Sequence, residues 1–204
     1  MIVAIDGPAG AGKSSVARAL AGRLGFTYLD SGAMYRCVAL AAIERGAEPA
    51  TVAPTVTIEL GDRVLLDGRD VTEQIRTPVL SEAASRAAAT PAVRRAMVAE
   101  QRRLLSSGNW VAEGRDIGTV VAPKAELKIF LTADPQERAR RRASELGADP
   151  ATILAEQQIR DQRDQQREHS PLAPAPGAQV LDTTALSLEE VVSQALDLVS
   201  IRRR

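Results

Sequence analysis

The chain is poor in several of the residues that carry protein chemistry. Its single cysteine, Cys37, excludes an internal disulfide, and its place among Val38, Ala39 and Leu40 in a helical pattern makes it a small buried apolar residue and not a reactive thiol. The lone histidine, His169, stands between Glu168 and a proline-rich loop, where a solvated surface residue is expected. Zinc ligation and a catalytic triad therefore have no material to work with. No apolar run approaches the roughly 20 residues that a membrane span needs, and no charged-then-apolar leader precedes the first strand, so the expected location is the cytoplasm. Neither sign of charge is in excess: Lys+Arg and Asp+Glu both number 26, so no global field draws the chain to nucleic acid or to an acidic membrane. Any anion site must be local. Lysine is scarce too, with only Lys13, Lys124 and Lys128, which leaves an arginine-dominated cation set suited to bidentate phosphate contacts.

What is present begins at the first residues. A short apolar run, Ile2-Val3-Ala4-Ile5, delivers Gly7-Pro8-Ala9-Gly10-Ala11-Gly12-Lys13-Ser14, the spacing G-x-x-x-x-G-K-[ST] of a phosphate-binding loop. Glycines let successive backbone N–H groups turn inward around phosphate oxygens, Lys13 adds a mobile cation, and Ser14 offers a hydroxyl to Mg²⁺. From Ser15 onward the pattern is helical, so the positive end of a helix points at the same anion.

At 204 residues the chain is long enough to bury a real core. Strand-like runs recur between helical stretches at Ile2 to Asp6, Phe26 to Leu29, Trp110 to Glu113, Leu127 to Thr132 and Gln179 to Asp182. That alternation predicts an α/β fold with a five-stranded parallel sheet covered by helices on both faces. Each run ends in polar residues, and ligands in such folds lie at the carboxyl ends of the strands. Two stretches break the rhythm. Between Pro49 and Thr77, short runs around Gly61-Asp62 and Asp67-Gly68 read as small antiparallel strands of an inserted subdomain. From Asp134 to about Arg167 the chain is charged and helical: Asp134-Pro135-Gln136-Glu137 supplies a cap, an N1 proline and a reciprocal glutamate, and Asp149-Pro150 starts a second helix. Two helices with almost no apolar face are either a solvated arm or a cover for a ligand. Near the end, Ser187-Leu188-Glu189-Glu190 is a capping box that opens the last helix.

Further constellations sit at the strand ends. A helix starting near Ser31 puts Arg36 where it either grips a second phosphate or is a surface arginine behind a helix cap. Arg160, Asp164 and Arg167 share one helix face at i, i+4 and i+7, which fits a ligand-facing surface or an ordinary solvated one. Arg94-Arg95 and Arg102-Arg103 decorate the helix before Trp110. Glu113-Gly114-Arg115-Asp116 follows the third strand, where the glutamate is placed to hold Mg²⁺ beside the loop's phosphates.

Taken in order, Asp30-Ser31-Gly32-Ala33-Met34-Tyr35-Arg36, Ile75-Arg76-Thr77, Gly114-Arg115-Asp116-Ile117-Gly118-Thr119-Val120-Val121 and Arg160-Asp161-Gln162-Arg163-Asp164 resemble the bacterial cytidylate kinases over nearly the whole length. That family phosphorylates CMP and dCMP from ATP. The resemblance implies a three-layer P-loop kinase fold with a core at 1–46, 81–133 and 170–204, a nucleoside-monophosphate-binding insert at about 47–80 and a helical lid at about 134–169. It implies that ATP with Mg²⁺ lies on Gly7 to Ser15, the metal being held by Ser14 and Glu113. Ser85, Arg94 and Asp116 would read the cytosine, Arg160 and Asp164 would hold the ribose with Ser31 nearby, and Arg36, Arg115 and Arg167 would bind the acceptor phosphate. Arg141 and Arg142 of the lid would close on the transferred group together with Lys13. Glu113 stands where the family more often shows Asp, and Ser14-Ser15 where some members have Gly-Thr. The expected partners are the small molecules ATP, CMP and dCMP, with no nucleic acid and no membrane, for a chain acting as a monomer. The rival readings are a P-loop kinase of UMP or of a small metabolite, and a nucleotide switch. A guanine-reading Asn-Lys-x-Asp segment is absent, since no lysine follows an asparagine.

Overall fold

The computed structural model describes residues 1–167 and 170–202. The expectation for His169, and the end of the proposed lid at 168–169, lie outside the described residues. The elements run β1 (Ile2–Asp6), α1 (Lys13–Leu24), β2 (Thr27–Asp30), α2 (Ser31–Arg45), α3 (Pro49–Val52), β3 (Ile58–Leu60), β4 (Val64–Leu66), β5 (Arg69–Asp70), α4 (Pro78–Ala87), α5 (Pro91–Leu104), β6 (Trp110–Gly114), β7 (Leu127–Thr132), α6 (Pro135–Leu146), α7 (Pro150–Gln165), β8 (Gln179–Asp182) and α8 (Leu188–Arg202). Among these residues a five-stranded sheet has the order β2-β6-β1-β7-β8, and the pairs β1/β6, β1/β7 and β7/β8 are parallel. The α/β expectation therefore holds. Each strand was legible as an apolar run; β2 and β6 each run one residue further, to Asp30 and Gly114, and β2 begins at Thr27 because Phe26 N is used to close α1 on Ala21 O at 2.9 Å.

The chain forms two compact units, one of Met1–Thr27 with Gly108–Arg204 and the other of Tyr28–Ser107. In the first, β1 is the central strand, with Val3, Ala4 and Ile5 fully buried between β6 and β7. The register pairs Ile5 with Glu113 and Asp6 with Gly114, so the carboxyl ends of β1 and β6 finish level. The chain leaves β1 into the glycine-rich segment before Lys13, and β6 into Arg115 and Asp116. Ser187 N donates to Glu190 Oε2 at 2.8 Å and Glu190 N to Ser187 Oγ at 3.3 Å, which is the capping box expected at the start of α8.

The charged stretch after β7 departs from its sequence reading in two ways. Asp134 does cap α6, its Oδ1 accepting from Gln136 N at 2.9 Å and Glu137 N at 3.2 Å. The reciprocal glutamate, however, is absent from the cap. Glu137 turns instead to Arg140 and Arg141, each within 2.8 Å, because charge-assisted bonds to a guanidinium outcompete a neutral amide. Those bonds, Arg140 first, hold the Glu137 carboxyl down at about 2. Nor do α6 and α7 lack an apolar face. Ala139, Ala143 and Ile153 form a buried cluster with Leu146 and Leu154 packed against it. The seam escaped notice because two alanines carry little hydropathy on a helix otherwise crowded with arginine.

The second unit contains the inserted antiparallel sheet β3-β4-β5. Its β4–β5 turn puts Asp67 and Gly68 at φ 51° and 78°, the left-handed pair of a tight hairpin turn. Asp67 is fixed there by Thr57 N at 2.8 Å and by Arg45 at 2.7 Å. Among the described residues no helix is long and apolar enough to cross a membrane.

Ile153 is the largest side chain of the α6–α7 seam, so Ile153→Ala should cost about 2–5 kcal/mol there. Amide hydrogen exchange is expected to quicken throughout α6 and α7 while β1 stays protected. Unchanged exchange in both helices would show that the seam does not hold them together.

Candidate active site

The loop between β1 and α1 is built by glycine at positions that no other residue fills. A Cβ on Gly7 would lie 2.1 Å from the carbonyl oxygen of Leu131 in β7. Gly10 has φ 77°, and a Cβ there would meet Arg138 O at 2.9 Å. α1 then starts with no side-chain cap and no acidic residue in its first turn. Its first amides are left to an anion, and the helix dipole favours one there. Ser14 and Ser15 lie exposed in that turn. Lys13 is buried, and its Nζ donates to Pro8 O at 2.7 Å. Burial pushes its amine down to about 7, and the charges of Arg115 and Arg160 push the same way against Glu113 and Asp6.

The carboxyl end of β6 brings Glu113, Arg115 and Asp116 into the same unit. Glu113 and Asp116 are buried. Arg115 Nε donates to Asp164 Oδ2 at 3.0 Å, and Arg167 Nη2 donates to the other oxygen, Oδ1. Asp164 is 1 % exposed. Burial alone would raise its pKa, but Arg115, Arg167 and Arg160 hold it below the ordinary carboxylate range. The face carrying Arg160, Asp164 and Arg167 is thus no solvated surface: its carboxylate is a buried anchor for two guanidinium groups. A guanidinium has five N–H donors and can bind a carboxylate and a further acceptor together.

In the second unit Asp30 caps α2 by accepting from Ala33 N at 2.8 Å, and its other oxygen accepts from Arg36 Nη2 at 3.0 Å. Arg36 is therefore half-buried and oriented, and Ser31 is the buried first residue of α2. Ser85 on α4 and Arg94 on α5 are both buried, and Arg94 Nη1 donates to Ala88 O at 3.4 Å. Arg95, Arg102 and Arg103 are exposed, so burial separates Arg94 from the other arginines of its helix.

A model of the cytidylate kinase family matches residues 3–201. The chain belongs to the cytidylate kinase family. It is 50 % identical to a cytidylate kinase of Solibacter usitatus (strain Ellin6076), over 99 % of this chain and 93 % of that one. It is 49 % identical to one of Pelotomaculum thermopropionicum (strain DSM 13744 / JCM 10971 / SI), over 99 % and 97 %. Among solved structures it is similar to a gluconokinase from Sinorhizobium meliloti 1021, with a TM-score of 0.53 at 20 % identity over 98 % of this chain and 93 % of that one. That likeness is of fold alone.

Both arginines of α6 singled out from the sequence of this cytidylate kinase family member have protein partners, and Arg141 is joined to the loop through Thr183, whose Oγ1 donates to Ala11 O at 3.4 Å. Arg141 is bound to Glu137, to Thr183 Oγ1 at 3.0 Å and to Thr183 O at 2.6 Å, while Arg142 is bound to Glu145 at 2.8 Å. A lid arginine that reaches the loop directly is Arg138. Its Nη1 donates to Ala9 O at 2.9 Å and to Asp161 Oδ2 at 2.6 Å, and its Nε donates to Ala133 O at 3.1 Å. The sequence held a signal for this pair. Ile153, Gln157, Asp161 and Asp164 continue a single stripe along α7 that stays buried after it turns polar. Among the described residues no group of three or more His, Cys, Asp or Glu side chains is gathered for a metal. One buried carboxylate, Glu113, and the Ser14 hydroxyl match the way Mg²⁺ is held in phosphate sites, where nucleotide oxygens and water complete the shell.

In the unfolded chain Lys13 keeps its proton up to the ordinary 10.5, whereas in the folded one it releases it near 7. Below pH 7 the ligand-free fold carries the full cost of a buried ammonium, and that cost fades as pH rises from 7 to 10.5. Lys13→Met should therefore raise the thermal midpoint of the ligand-free protein at pH 6, by about 2–4 °C for each kcal/mol relieved. The gain should shrink on going to pH 10. A variant no more stable than the parent at pH 6 contradicts the burial of charge at Lys13.

Proposed function

We propose that this chain transfers the terminal phosphoryl group of ATP to CMP and dCMP. The observation that carries the reading is the buried anchor Asp164, which holds Arg115 and Arg167 in the unit that contains the phosphate loop and Lys13. Joining two polyanions calls for this kind of concentrated, oriented positive charge, since a loose in-line transition state spreads negative charge over the transferred group. No general base is needed. An acceptor phosphate with a second pKa near ~6 is already mostly dianionic at neutral pH, so the absence of a usable histidine is no obstacle.

The roles assigned in the first unit follow from what each group offers. Gly7 to Ser15 cradles the donor phosphates, and Lys13 follows the charge as it moves to the acceptor. Ser14 and Glu113 hold Mg²⁺, which when bound neutralises phosphate charge and fixes the donor's geometry. Arg115 and Arg167 bind the acceptor phosphate, and Arg160 with Asp164 holds the ribose. Asp116 reads cytosine. In the second unit Arg36 serves the acceptor phosphate, Ser31 the ribose, and Ser85 and Arg94 the base, where buried polar groups reject a base that leaves them unpaired. The lid at 134–169 closes on the transferred group through its arginines, Arg141 and Arg142 among them, and excludes water so that ATP is not hydrolysed without an acceptor. The insert at 47–80 belongs to the acceptor side. The protein works in the cytoplasm as a monomer.

A coupled assay of ADP release with CMP, dCMP, UMP, AMP or no acceptor tests this directly. Turnover is expected with CMP and dCMP, far less with UMP and AMP, and only background with none. Arg115→Ala and Arg167→Ala should each lose about 3 kcal/mol or more of transition-state stabilisation, a hundredfold or greater fall in kcat/KM, while ATP still binds. Near-normal turnover of CMP in either variant would remove that residue from the site.

A further inference from the structure

Asp6 takes no part in the chemistry described above, yet it is 3 % exposed at the last position of β1, immediately before the phosphate loop. Its Oδ1 accepts from Ile117 N at 2.8 Å and its Oδ2 from Gly118 N at 2.7 Å. Those are the first two amides of a π-helical turn, Ile117–Val121, whose wide winding is closed by Val121 N on Asp116 O at 3.1 Å and Ala122 N on Ile117 O at 2.7 Å. Such windings are rare and concentrate at functional positions.

The capping arrangement is unusual. Asp116 occupies the cap position of this turn, where an aspartate would ordinarily accept from the amides that follow. It makes no such bond. A carboxylate 111 residues earlier in the chain does so instead. The fit is close: a Cβ on Gly118 would come within 3.3 Å of Asp6 Oδ2 and 3.2 Å of Ala175 Cβ. Asp6 is also in register with Gly114, next to Arg115, so a single side chain ties the start of the phosphate loop to the segment that presents Arg115 and Asp116. Burial raises the Asp6 pKa to about 6 against the two amide bonds that lower it, and of the nearby charges Asp116 raises it and Lys13 lowers it, which is consistent with a place near both.

We infer that Asp6 is a positioning residue for acceptor discrimination: by capping the 117–121 turn in place of Asp116, it fixes the direction of the segment that presents Asp116 to the base. The inference rests on the assignment of Asp116 to cytosine made above. Two amides converge on two carboxylate oxygens, so the isosteric amide cannot substitute. Asp6→Asn retains one acceptor and turns an NH₂ group toward the other N–H.

The test is steady-state kinetics on the full chain with CMP, UMP and ATP varied, for the parent, Asp6→Asn, Gly118→Ala and Asp116→Asn, each with a thermal melt. Asp6→Asn is expected to lower the CMP-over-UMP ratio of kcat/KM by about tenfold or more, chiefly through KM for CMP, with KM for ATP within about twofold. A merely structural role would lower the melting point and the active fraction for both acceptors alike. An unchanged ratio in a folded Asp6→Asn therefore overturns the inference. Gly118→Ala keeps every charge while crowding the carboxylate off its amides, and it should move the ratio the same way. It carries the test if Asp6→Asn does not fold, and an unchanged ratio there overturns the inference equally. Asp116→Asn tells the two levels apart. If it leaves the ratio intact, the base assignment itself fails. If it collapses the ratio while Asp6→Asn and Gly118→Ala do not, only the positioning role fails.

Discussion

The Lys13 ammonium is buried beside the guanidinium charges of Arg115 and Arg160, against the carboxylates of Glu113 and Asp6. Nothing in the hydrophobic effect would gather these groups at the end of β1, and desolvation opposes it. Parallel register levels the ends of β1 and β6, at or after which Asp6, Lys13, Glu113 and Arg115 lie, and Arg160 comes from α7. Helix α7 supplies Asp164, which accepts from both Arg115 and Arg167. The ligand-free unit therefore holds a desolvated Lys13 close to further guanidinium charge. A polyphosphate anion with its metal is the natural counter-charge, and binding it relieves what folding alone leaves unfavourable.

The same constraint explains why fold and acceptor separate. A fold by itself sets no acceptor, and the likeness to a gluconokinase at 20 % identity is of fold alone. Under the proposed function, acceptor choice is assigned to residues outside the loop sequence. These are Asp30 orienting Arg36, the buried pair Ser85 and Arg94, and the turn after Asp116 that Asp6 caps.

Much of this was legible in the sequence where a local rule acts alone. The strands stood out as apolar runs ending in polar residues, the loop by its glycine spacing, and the starts of α6, α7 and α8 by Asp134, Asp149 and Ser187. Reading failed where a partner distant in the chain decides. Glu137 looked like a reciprocal cap until Arg140 and Arg141 competed for it. The lid looked devoid of apolar surface because its seam is made of alanines facing Ile153. Arg138 could not be told from three neighbouring arginines by spacing, since its distinction is a bond to Ala9 across 129 residues. Asp6 appeared only as a polar strand end, because its two donors lie 111 and 112 residues away.

With only Lys13, Lys124 and Lys128 in the chain, the charge state at the centre of this account is open to direct measurement. Lysine labelled at the side-chain nitrogen and terminal carbon gives at most three signals, and Lys13→Met assigns the one of interest. In the ligand-free protein that signal should titrate near 7, and it should move up towards the ordinary 10.5 when a non-hydrolysable ATP analogue is bound with Mg²⁺. A Lys13 signal that already titrates near 10.5 without nucleotide, and does not move on binding, would contradict the claim that burial and neighbouring cations disfavour the Lys13 charge until a phosphate is bound.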